Sequence, residues 1–168
     1  MSKKILVAYA TRAGTTAEVA DFIGKTLVAG GIAAEVVPAD TVGNLDGYDG
    51  VILGTGIRAG KTYGEAFDFV KRHDAALKSI PVAFFVVCLT MKDDIPENRA
   101  TVDAYLNPMR AVVTPVDCGL FAGKMDFSEL GFIVRFIVRR MVKAPEGDFR
   151  DWDKIGEWAD SIQEKLGL

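Results

Sequence analysis

What this chain lacks removes several chemistries at once. It has one histidine, His73, so neither a Ser–His–Asp constellation nor a His–carboxylate pair can be read with any force, and no metal-ligand spacing is present. Its two cysteines, Cys88 and Cys118, form no CxxC pair. Both sit in strand-like apolar runs, as buried free thiols of a reducing cytosol do. No GxxxxGK[ST] loop occurs, which excludes a Walker site. The net charge is only −3 and no basic run is interleaved with aromatics, so nucleic acid is not an expected partner. No apolar run approaches the roughly 20 residues that span a bilayer. The run behind Lys3-Lys4 breaks at Thr11-Arg12, too early for a secretory signal.

What is present is an ordinary globular composition, 49% hydrophobic and 26% charged over 168 residues. A chain of that size fits one domain, 1–168, burying roughly 70% of its unfolded surface. Apolar runs alternate with helical patterns throughout. "KKILVAYA", "IAAEVVPA", "GVILGTG", "IPVAFFVVCL" and "VVTPVDCGLFAG" read as five strands. Helices are expected over 16–28, 63–77, 96–111 (ended or kinked by Pro108), 127–142 and 152–166. Such alternation implies a parallel α/β sheet with helices on both faces. Ligands of these sheets bind beyond the carboxyl ends of the strands, which selects the loops 11–16, 55–60 and 88–94.

The first loop, Thr11-Arg12-Ala13-Gly14-Thr15-Thr16, leads a strand into a helix. A helix N-terminus presents unpaired N–H groups and a positive dipole end, a ready anion site. Three threonine hydroxyls add donors, and Gly14 lets the backbone close around phosphate oxygens. Capping of the helix is the competing use of a threonine, but it needs one hydroxyl where three flank the glycine. A second match, "GTGIRA", fits GxGxxA after a strand. The acidic residue that should follow about 20 positions later falls near Asp74, inside a helical pattern, so this is not a nicotinamide site.

The residues that carry the phosphate cradle also carry a family likeness. "YATRAGTTAEVA" resembles the phosphate loop of flavodoxins, with Ala13 where a threonine is usual. "TRAGTTAEVA", "GTGIRAGKTYGEAFDFVKRH", "DFRDWDKIGEWADSI" and the basic, apolar "GFIVRFIVRRMVK" are similar to the menaquinone-dependent protoporphyrinogen dehydrogenase branch of that family. The resemblance implies a flavodoxin-like three-layer sandwich, a five-stranded sheet of order 2-1-3-4-5, and bound FMN. Phosphate would lie on the first loop. The isoalloxazine ring would lie between Thr55-Gly56-Ile57-Arg58-Ala59-Gly60 and Cys88-Leu89-Thr90-Met91. In the family a peptide beside flavin N5 reorients as the flavin gains an electron; the resemblance implies that Thr55-Gly56 or Gly56-Ile57 would serve there. Neither ring loop holds an aromatic residue, so apolar contact falls to Tyr63 just behind, or to Ile57, Leu89 and Met91. Arg58 is either a solvated charge or a cation near flavin N1/C2=O or an acidic substrate. His73, on the outer turn of its helix, is read as structural or solvated.

In the helix expected over 127–142, Arg135, Arg139 and Lys143 recur every four residues beside Arg140, and apolar residues cover nearly everything else. That exceeds the apolar stripe of about 100° needed to pack on a sheet. A homodimer contact, a peripheral membrane or quinone/tetrapyrrole pocket, and full burial within the monomer are the three uses open to the surplus. Two functions follow from the resemblance. One is a cytoplasmic electron carrier that serves redox proteins such as ferredoxin-type donors. The other is an FMN-dependent protoporphyrinogen dehydrogenase that passes electrons to a quinone. A module that has lost FMN is the third and least expected.

Overall fold

The near-continuous apolar runs become the middle of a parallel sheet, because only strands covered on both faces tolerate them. The computed structural model describes residues 2–125, 131–137 and 147–168. In chain order the elements are β1 (Lys4–Ala10), α1 (Thr15–Ala29), β2 (Ala33–Pro38), β3 (Gly50–Arg58), β4 (Lys61–Thr62), α2 (Gly64–Arg72) and α3 (Asp74–Leu77). There follow β5 (Val82–Cys88), α4 (Pro96–Ala104), α5 (Asn107–Arg110), β6 (Asp117–Ala122), β7 (Lys124–Met125), α6 (Phe132–Ile137), β8 (Gly147–Asp148) and α7 (Trp152–Lys165). The long strands pair in the order β2-β1-β3-β5-β6, all parallel. With the two-residue β4 set aside as an antiparallel extension of β3, this is the 2-1-3-4-5 order expected of a flavodoxin-like fold. Register is fixed by pairs such as Val7 with Ile52 and Leu53 with Phe84.

Alternate residues of each strand feed two cores. On one face Leu6, Leu53 and Phe84 meet Phe69 of α2 and Leu106. On the other, Ile5, Ile52 and Phe85 meet Ile23 of α1 and Ile162 of α7. Asp151 caps α7 by accepting the Lys154 N–H at 3.1 Å. Gly54, the first glycine of "GTGIRA", is a packing residue: a Cβ there would lie 2.0 Å from Cζ of the buried Phe85. Its glycine serves an aromatic ring in the core, not a nucleotide.

Three expected helices differ in outline. The one over 63–77 breaks at His73, whose φ of −109° and ψ of 19° leave the helical region. His73 does not sit on an outer turn. It is 8% exposed, with its ring 4.7 Å from that of Phe69, and burial lowers its pKa. The helix over 96–111 divides ahead of Asn107-Pro108, because proline suits the start of α5 and not the interior of a longer helix. Of the helix expected over 127–142, Phe132–Ile137 is helical; its remainder and the side chains of Arg135, Arg139, Arg140 and Lys143 lie outside the described residues. No helix among the described residues is long and apolar enough to cross a membrane.

Candidate cofactor cleft

The carboxyl ends of β1, β3 and β5 surround a cleft of about 410 Å³, within the size range of cofactor sites. Of the residues expected from the sequence, Thr11, Arg12, Ala13, Thr15, Thr16, Gly56, Ile57, Gly60, Cys88, Leu89 and Thr90 line it. Three segments far apart in the chain are thus brought to one opening by the strand order.

At the first loop, Gly14 is the N-cap of α1 and adopts φ 87°, ψ −7°. An L side chain is disfavoured in that left-handed conformation, so glycine is needed here. Thr11 Oγ1 accepts the Gly14 N–H at 3.0 Å and tightens the turn. No side chain caps α1 itself, so the threonines do not act as simple helix caps. The first-turn amides and the dipole end of α1 border the cleft beside Thr15 and the buried Thr16. This is the donor set that an oxyanion needs.

The second loop is a hairpin. Arg58 pairs with Lys61, and Ala59 and Gly60 form its two-residue turn at φ 51° and 73°. Positive φ at both central residues is the mark of the tight turns that suit a twisted ribbon. Strand pairing keeps Ile57 and Gly60 in the cleft, whereas Arg58 and Ala59 are exposed and do not line it. Thr55 lies beneath, fully buried; its Oγ1 donates to Gly56 O at 2.7 Å and accepts the Tyr63 N–H at 3.1 Å.

The third loop coils into a short 3-10 turn over Leu89–Lys92. That turn sends Met91 into the core on the side of α4, so it is not among the cleft-lining residues expected to touch the ring. Cys88 borders the cleft as a free thiol, and burial pushes its pKa up, which keeps it protonated near neutrality.

Tyr63 does enter the cleft lining, and a Cβ on Gly56 would lie only 2.6 Å from its Cε2. Sequence reasoning missed Tyr105 and the segment Gly123, Lys124 and Met125, which also line the cleft. Gly123 donates its N–H to Cys88 O at 3.0 Å, and a Cβ there would lie 3.3 Å from the Cys88 carbonyl carbon. The available signal was topological: Gly123 follows the fifth long strand, whose carboxyl end belongs to the same edge as the three chosen loops.

Arg12 links two walls. Its Nη2 donates to Glu65 Oε2 at 2.9 Å, and its guanidinium carbon lies 4.4 Å from the centroid of the Tyr63 ring. The hydrogen bond raises the Arg12 pKa and lowers that of Glu65, while burial raises that of Tyr63. All three therefore keep their ordinary charge states at neutral pH. Among the described residues the cations in the cleft lining are Arg12 and Lys124; Arg58 does not line it.

A family model described as a flavodoxin domain matches residues 6–151. A protoporphyrinogen IX dehydrogenase [quinone] of Escherichia coli (strain K12) is 28% identical over 95% of this chain and 94% of its own. The protein of that name from Leishmania major is 29% identical over 96% of this chain and 75% of its own. Among solved structures, oxidised flavodoxin 2 from Bacillus cereus is similar at a TM-score of 0.56 and 25% identity, covering 96% of this chain and 99% of that one.

Proposed function

We propose that this chain, which belongs to the flavodoxin domain family, is a redox protein that holds FMN in the cleft described above. The residues fit the group. The uncapped N-terminus of α1, with Gly14 at φ 87° and hydroxyls at Thr11, Thr15 and Thr16, suits a phosphate dianion. Ile57, Leu89 and Tyr63 offer apolar and aromatic contact to a flat ring, and backbone around Gly56 and Gly60 offers its polar edge. Bound flavin supplies the chemistry of one- and two-electron transfer; the chain binds, orients and shields it. The single observation carrying this reading is that helix start, left without a side-chain cap at the head of a cleft of cofactor size.

The second reading adds a substrate: protoporphyrinogen as electron donor and a quinone as acceptor. It is favoured by the match to both named dehydrogenases over nearly the whole chain, the region after β6 included. It is also favoured by the exposed apolar side chains of α6, Phe132 at 81% and Ile133 at 73%. With this reading goes a cytoplasmic location, with α6 meeting a quinone-bearing membrane surface or a second copy.

Purification decides the first claim: one FMN per chain and a yellow protein are expected. Protein that purifies without flavin and gains no thermal stability from added FMN overturns it. Anaerobic mixing of the loaded protein with protoporphyrinogen, followed by a menaquinone analogue, decides the second. Bleaching and recovery of the flavin absorbance support the dehydrogenase; reduction only by a ferredoxin-type protein assigns the chain as a carrier.

A further inference from the structure

Tyr63 is held from three directions. Its N–H is bound to the buried Thr55 Oγ1 at 3.1 Å, and its ring edge abuts the space over Gly56. Its face carries the Arg12 guanidinium at 4.4 Å. Arg12 is in turn held by Glu65 at 2.9 Å, across 53 positions of sequence. Arg12, Tyr63 and Gly56 line the cleft, while Glu65 does not. Glu65 stands in the first turn of α2, where a carboxylate is favoured by the helix dipole. A latch anchored outside the cleft therefore reaches through a cation to an aromatic wall inside it.

We propose that Glu65 is a positioning residue that, through Arg12, fixes the Tyr63 ring as a wall of the flavin compartment. The inference rests on the FMN reading above. Arg12 starts in the first loop, where its Nη1 donates to Thr11 O at 3.3 Å, and besides its contact with the Tyr63 ring, Glu65 is the partner that draws it across to that ring. Glu65 thus does two things: it neutralises a cation that borders the ring, and it keeps that cation over the tyrosine. A guanidinium stacks and hydrogen-bonds at once through its flat fork, which a lysine ammonium does not. A phenol ring held against a flavin also quenches its fluorescence, so the ring's placement has a direct optical signature.

The test uses Glu65→Gln, Arg12→Lys, Tyr63→Ala and the Glu65→Gln/Tyr63→Ala double variant, each with FMN and with riboflavin. Riboflavin lacks the phosphate and so reports the ring compartment alone. Glu65→Gln is expected to raise the fluorescence of bound flavin about twofold and weaken riboflavin binding about three- to tenfold, in line with a lost exposed ion pair and cation–π contact. Arg12→Lys is expected to behave the same way. Because Glu65 acts through the ring, the double variant should match Tyr63→Ala alone. Wild-type fluorescence and affinity in Glu65→Gln overturn the proposal, as do effects that multiply in the double variant. A fall in melting temperature with unchanged flavin fluorescence also overturns it, since that is what a merely structural ion pair does. Wild-type protein that takes up no flavin overturns the FMN reading together with this one; flavin uptake with an inert Glu65→Gln overturns this one alone.

Discussion

Two turns flank the cleft, and they use glycine to opposite ends. The opening turn, 11–16, spends one positive-φ glycine, Gly14, on delivering the chain into a long helix, and leaves that helix start without a side-chain cap. The hairpin turn, 57–62, places Ala59 and Gly60 at positive φ and closes on itself through the Arg58–Lys61 pair. One turn leaves the start of α1 without a side-chain cap, and the other closes its backbone into a strand pair. On the FMN reading proposed above, anion affinity therefore belongs to the first, and shape to the second. Arg12 and Glu65 tie the two, since the cation of the open turn lies on the ring that follows the closed one.

The widest break in that comparison comes from the hydroxyls. Replacing Thr11 and Thr16 together by valine keeps side-chain size and removes the hydroxyls of two cleft-lining residues, that of Thr11 being also the acceptor of the Gly14 N–H. At roughly 1–2 kcal/mol for each charge-assisted bond, FMN affinity should fall by about 2–4 kcal/mol, with riboflavin affinity little changed. Isothermal titration with the two ligands reads both numbers. Equal losses for FMN and riboflavin would show that the open turn is not where phosphate is held.

Backbone strain gives a smaller and signed contrast. At Gly14 an added Cβ meets nothing within 4 Å, so Gly14→Ala carries only the left-handed penalty of about 1–2 kcal/mol. Ala59 already bears that penalty at φ 51°, the only described residue other than glycine with positive φ. Ala59→Gly should return it less the extra chain entropy of glycine, a net gain of roughly 0.5 kcal/mol. Chemical denaturation of the two variants should move in opposite directions. Movement in the same direction would mean that the turns are not strained as their φ values imply.

Much of this was legible because strands and their following loops are written locally. The apolar runs gave β1, β3 and β5, and the threonine–glycine cluster marked the turn that brings α1 to the cleft. What was not legible depends on contacts between segments. Lys124 reaches the cleft only once β6 lies beside β5, Tyr105 only once the end of α4 comes near Gly60, and no local pattern marks either. Met91 reads like a ring contact in the loop and is buried because a single 3-10 turn rotates it inward. His73 looks like a surface residue of one continuous helix; the break between α2 and α3 turns it against Phe69. Arg12 reads as part of the phosphate cradle, and its bond to Glu65 is set by the sheet order that places β1 against β3.

The smallest effect is a pH dependence that belongs to the tie between the turns. Glu65 has a folded pKa held below 4.5, first by the Arg12 hydrogen bond and then by its own backbone N–H. A carboxylate depressed on folding contributes stability in full above its ordinary value and loses it as pH falls through the folded one. Wild type should therefore melt above Glu65→Gln at pH 7, and the gap should close as the pH falls below the ordinary glutamate range. The pair is exposed, with side-chain accessibilities of 45% and 37%, so solvent screening keeps the gap small. Asp94 and Asp148 are depressed in the same direction, and because both remain in the variant, subtracting the two melting curves isolates Glu65. A gap that stays constant through that window would mean that Arg12 is held by the tyrosine alone, and that the open turn and the closed one are not electrostatically joined.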